Sequence, residues 1–243
     1  MTQNSLPIRK LLLLLLLLLS TVLVASPSGT TVAVAPRGNA NPQRAEGCWV
    51  SAGFGNSADS PTLLSSSGNP EIDNAHQREG LALIGKFGVT PRGFFFDDRG
   101  APNAYATNKV ANSLGPDGTV VFGLTLIDSE LRRDNGYGLA VPAIMAHEFA
   151  HIVQYKRGST LSTKQKELQA DYLAGWYLGN RWIYTDVRAA FEAFFQMGDY
   201  QFNNPNHHGT PQQRLAAIQA GFQATRLSFD QAYQQSSAFV KSQ

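Results

Sequence analysis

Between Val141 and Lys156 the chain is apolar almost all the way round a helix, yet it carries two histidines and a glutamate. Val141, Ile144, Met145, Ala146, Phe149, Ala150, Ile152 and Val153 leave no polar face, which is the mark of an element buried inside a folded domain. Pro142 occupies a first-turn position where its missing N–H does no harm, and Gly158 stands where a helix would stop. The helix is therefore expected over 141–157. His147, Glu148 and His151 enter the core with it, and burying them without partners would cost on the order of several kcal/mol. At i and i+4 the two histidines project from one face about one turn apart, so a single divalent cation could bridge them and remove much of that cost. Two core histidines hydrogen-bonded to backbone would use the same residues, and the HExxH pentapeptide alone does not separate the two arrangements.

A second expected helix sharpens the choice. Ser162 and Gln165 form a capping-box pattern that opens it, and Gly179 closes it after about Leu178. Glu167 and Asp171 lie four apart on one face. About 9 Å of helix separates His151 from the end of the first helix, and roughly 6–7 Å separates the start of the second from Glu167. An antiparallel return would set Glu167 beside His151. A third helix is expected over Thr185–Gln196, and a fourth from Pro211, where Thr210 and Gln213 repeat the capping box. Upstream, Ile72, Ala75, Leu81 and Phe87 recur at near-helical spacing over 71–87. Three β-rich runs follow at Gly93–Phe96, Ala104–Thr107 and Thr119–Leu126, divided by turn sequences at Asp97–Gly100 and Pro116–Gly118. Strands first and helices after predict an α+β fold, a small N-terminal sheet packed on a helical half.

The 243 residues, 43% hydrophobic, suffice for one large domain. Arg9 and Lys10 precede nine leucines, Leu11–Leu19, in an apolar stretch that runs to about Ala25 and is broken by Ser26-Pro27-Ser28-Gly29. At about 15 residues it falls short of the roughly 20 that span a bilayer core. Residues 1–35 therefore read as a signal peptide, with an uncleaved anchor as the alternative, and the product is expected to be secreted or periplasmic with no stable membrane span after its removal. Residues 36–70, rich in Pro, Gly, Asn and Ser, read as a flexible linker with an anchor at an apolar pair such as Leu63-Leu64, and 71–243 as the functional domain. Without Arg9 and Lys10, the 20 basic residues fall to 18 against 18 acidic ones, so a nucleic-acid partner has no electrostatic support. A single cysteine, Cys48, excludes an intrachain disulfide framework and a multi-cysteine zinc site.

HExxH followed on the next helix by ExxxD resembles the pattern of the gluzincin metallopeptidases. The block Glu167-Leu168-Gln169-Ala170-Asp171-Tyr172-Leu173-Ala174-Gly175 is similar to that of bacterial neutral zinc metallopeptidases, as is His208-Gly209-Thr210-Pro211-Gln212-Gln213-Arg214. Pro102–Ala106 and Gly118–Phe122 resemble strands that precede the catalytic helix in HtpX-like and CAAX-endoprotease-like peptidases, although multiple membrane spans are missing. Metzincins require Gly and His where this chain has Gln154 and Arg157. The resemblance covers about 71–222 and implies a zincin-like helical half and a secreted zinc-dependent endopeptidase acting on protein or peptide substrates.

The roles then follow from chemistry, with the resemblance as support. One Zn2+ per chain is expected on His147, His151 and Glu167, with one coordination position left for water. Glu148, turned about 100° round the helix, is placed as general base. Asp171 would accept the free N–H of a ligand histidine, and the resemblance implies His147. His208 is the candidate for stabilising the tetrahedral oxyanion, with a non-catalytic loop position as its alternative, and His207 has no assigned role. Arg214 would brace the site by pairing with Asp171 or Glu167, or else lie on the surface. The run Thr119–Leu126 is the candidate sheet edge for an extended substrate. Two further readings use the same residues: a catalytically inactive metalloprotease-fold module for binding or chaperoning, and a zinc hydrolase of non-peptide bonds.

Overall fold

The computed structural model describes residues 62–98, 102–133, 138, 140–181, 187–196 and 208–243. The signal peptide, Cys48, His207 and most of the expected linker lie outside the described residues. The order of elements is α1 (Pro70–Phe87), β1 (Arg92–Phe96), β2 (Ala104–Thr107), β3 (Thr119–Gly123), α2 (Leu124–Arg133), α3 (Ala140–Lys156), α4 (Thr163–Arg181), α5 (Arg188–Gln196), α6 (Pro211–Gln223) and α7 (Phe229–Lys241). The fold is mixed α+β and mostly helical. None of the described helices is long and apolar enough to cross a membrane.

Helix α3 occupies the centre, with thirteen of its seventeen residues buried. It packs against α1, α2, α4, α5, β2 and β3, as a helix with no polar face must. Gly158, at φ +62°, follows it in the left-handed conformation that ends helices. Ser162 and Gln165 cap α4 reciprocally, the Gln165 amide N–H donating to Ser162 Oγ at 3.4 Å and the Ser162 N–H to Gln165 Oε1 at 3.2 Å. Helix α4 does not stop before Gly179 but runs on to Arg181. Glycine here serves packing: a Cβ on Gly179 would lie 2.1 Å from Thr225 Oγ1, one on Gly175 1.9 Å from Ile218 O, and one on Gly221 1.7 Å from Tyr172 O. Those close approaches seat α6 directly on α4.

The sheet has the order β1-β3-β2, with β1 parallel and β2 antiparallel to β3. The β1 edge is bridged by Leu64, whose N–H donates to Phe95 O at 2.8 Å. Two expectations need correction. The third strand ends at Gly123, and Leu124–Leu126 open α2 instead, because Asp98 accepts from the Thr125 N–H at 2.6 Å and the Leu126 N–H at 3.0 Å. A carboxylate on the first free N–H groups of a helix is a cap, and it overrides the strand-like alternation of Leu124, Leu126 and their neighbours. Second, β3 is the central strand and is paired on both sides, so Thr119–Leu126 offers no edge to a substrate. The edge strand that packs on α3 is β2. Helix α7, opened by a further capping box at Ser228 and Gln231, was not signalled by the apolar periodicity.

Candidate metal centre

The i, i+4 spacing on α3 brings His147 and His151 together, their Nε2 atoms 3.1 Å apart. Helix α4 returns antiparallel and delivers Glu167 to both: Oε2 lies 3.3 Å from His147 Nε2, and Oε1 lies 3.4 Å from His151 Nε2. All three side chains are buried, with Glu167 at 0% exposure. They form a group that could hold one metal ion.

Hydrogen bonding around the cluster dictates which atoms face inward. His147 Nδ1 lies 2.8 Å from Asp171 Oδ1, at a bent angle, and a ring nitrogen that close to a carboxylate oxygen carries a proton. His151 Nδ1 lies 2.9 Å from Gln154 Oε1, an acceptor, so it too is the protonated nitrogen. In their neutral forms both imidazoles therefore turn a lone pair on Nε2 toward the same point. Neither Glu167 oxygen accepts a hydrogen bond of good geometry among the described residues. With both imidazoles neutral, four electron-rich atoms thus converge in a buried volume with no donor between them, an arrangement that a cation, whether a metal ion or a proton on His147, satisfies.

Arg214, buried at 1% exposure, completes the surroundings. Its Nε and Nη2 donate to Asp171 Oδ2 and Oδ1 at 2.8 and 2.7 Å, a two-pronged ion pair, and Nη2 lies 3.9 Å from Glu167 Oε2. Of the two expected partners, Asp171 makes the short contacts and Glu167 the longer one, and Arg214 does not lie on the surface. Phe194 of α5 covers the assembly, its ring centroid 5.7 Å from that of His147 and 5.6 Å from the Arg214 guanidinium carbon. Glu148 is fully buried beside the ligands on α3. His208 is buried just before the Thr210 cap of α6 and is not part of the ligand group. No known protein family, curated protein or solved structure matches this chain.

Sequence reasoning missed Gln154 and Phe194. Gln154, at i+3 from His151, lies on the ligand's own face of α3, a spacing that could have flagged it. Phe194 carries no comparable signal, since its place depends on how α5 crosses α3.

The charges in the cluster set the behaviour of metal-free protein. Burial alone would depress His147, but Asp171 and Glu167, by hydrogen bonding and charge, overcome this and raise its pKa to about 9. Burial, reinforced by the charge of His147, lowers His151 to about 4. Burial would raise Glu167, but the charge of His151, with His147 and Arg214, brings it down to about 2. Without a metal, a proton on His147 serves as the cation. The stability it contributes is fully present below the ordinary histidine value of 6.5 and is lost as pH rises through about 9. The Glu167 contribution is present above 4.5 and is lost as pH falls through about 2. Metal must displace the His147 proton. Calorimetric titration at pH 7 in buffers of different ionisation enthalpy should detect about one proton released per metal bound, with apparent affinity rising about tenfold per pH unit toward pH 9. Binding with no proton release at pH 7 would contradict this arrangement.

Proposed function

We propose that the chain is a zinc-dependent endopeptidase of gluzincin type. The observation that carries the proposal is the convergence of two imidazole Nε2 atoms and the buried Glu167 carboxylate from adjacent helices, with a second carboxylate, Glu148, on the ligand helix itself. Two histidines and a carboxylate match the three-ligand set of catalytic zinc sites, where one position stays open. Zinc held there supplies Lewis acidity, which makes water nucleophilic near neutral pH.

The chain's own residues do the rest. Glu148 takes a proton from the attacking water and returns it to the departing amine. Asp171, clamped by Arg214, holds His147 with Nδ1 protonated and Nε2 inward. Glu167, placed against both imidazoles, supplies negative charge that partly neutralises a dipositive ion. His208, buried just ahead of the Thr210 cap of α6, is proposed as a donor to the oxyanion. Casein digestion by zinc-loaded protein tests the reading against the Glu148→Gln variant: cleavage by the first and not the second supports it, and no cleavage of any unfolded protein by the first would overturn it.

A further inference from the structure

Gln154 sits at the head of a hydrogen-bond chain that runs from His151 through α4 to α7. Gln154, Gln169 and Ser236 are all at or below 2% exposure, shielded from bulk water. Gln154 Nε2 donates to the backbone carbonyl of Lys166 at 2.8 Å and to Gln169 Oε1 at 3.1 Å. Gln169 Nε2 in turn donates to Ser236 Oγ at 3.2 Å and Ser237 Oγ at 2.7 Å. Both hydroxyls donate to the carbonyl of Tyr233, at 2.7 and 2.9 Å.

Two backbone carbonyls fix the direction of this chain, because a carbonyl only accepts. Lys166 O requires the amide nitrogen of Gln154 to face it, which turns Oε1 toward His151. Tyr233 O claims the serine protons, which leaves the serine oxygens as acceptors and orients Gln169 the same way. Every link agrees, and the terminal link leaves His151 with its proton on Nδ1. We infer that Gln154 is the positioning residue of His151, and that α7, through Ser236, Ser237 and Gln169, helps set the tautomer and ring orientation of a metal ligand. On His147 the carboxylate of Asp171 does this work; on His151 a neutral amide does it. This inference rests on the proposed metal centre.

The test has two readouts. In metal-free wild-type protein at pH 7, nitrogen NMR of histidine-labelled protein should find His151 neutral with the proton on Nδ1. Gln154→Leu should move the proton toward Nε2 and, by zinc competition against a calibrated chelator, lower affinity about 10–100-fold. Gln154→Glu keeps an acceptor for the Nδ1 proton and should leave it on Nδ1, although its second oxygen faces the Lys166 carbonyl and lowers stability. A wild-type His151 protonated on Nε2, or unchanged zinc affinity in Gln154→Leu, would overturn the inference. The NMR comparison of wild type with Gln154→Leu needs no bound metal, so a protein that binds no zinc would defeat the proposed function while a proton that stays on Nδ1 in the variant would still overturn the role of Gln154.

Discussion

Glu148→Gln should retain its metal and lose hydrolysis by about 10²–10⁴-fold, the usual contribution of a positioned acid or base. The substitution changes no ligand: His147, His151 and Glu167 remain, and the amide is close to the carboxylate in size. What disappears is the capacity to take a proton. Digestion of casein by equal amounts of zinc-loaded proteins checks the loss, with metal content measured on the same samples. Retained activity in Glu148→Gln would remove the general base from the account.

Asp171→Ala should be damaging in two ways. The buried Arg214 guanidinium would lose the partner of its two short hydrogen bonds and keep the longer contact with Glu167 at 3.9 Å, and breaking a buried pair in this way costs about 3–5 kcal/mol. His147 would also lose the acceptor at Nδ1, and zinc affinity should fall about 10–100-fold. Asp171→Asn is often a mild change, and from sequence alone it would be expected to reduce activity more than stability. Arg214 alters that expectation: an asparagine in this place presents one oxygen and one N–H2 to a guanidinium that needs two acceptors, so stability should fall as well. The double variant Asp171→Ala/Arg214→Met separates the effects. Removing both charges should return much of the stability and none of the zinc affinity. Chemical denaturation and chelator competition check the pair, and an Asp171→Ala variant within about 0.5 kcal/mol of wild type with unchanged zinc affinity would contradict the arrangement.

What could be read in advance follows the range of the interactions. His147 and His151 were legible because helical periodicity alone puts them on one face, and the apolar residues around them required burial. Glu167 needed only one further step, a short connection and an antiparallel return. The sequence leaves the partner of Arg214 open between two carboxylates, because the contact spans 43 residues and depends on α6 lying against α4 where Gly175 and Gly221 permit it. Helix α2 was hidden because its cap, Asp98, lies 27 residues upstream of Thr125, beyond any local signal. Gln154 looked like one more residue of a buried helix. Its importance emerges only once α7 brings Ser236 and Ser237 against Gln169, 67 and 68 residues away in sequence.

The most direct measurement is elemental analysis of the purified protein beside its His151→Ala variant, each after zinc reconstitution and gel filtration. About one zinc per chain in the wild type and essentially none in the variant is the result the geometry of His147, His151 and Glu167 predicts. A wild-type protein that holds no transition metal, or a His151→Ala variant that holds as much as wild type, would contradict it.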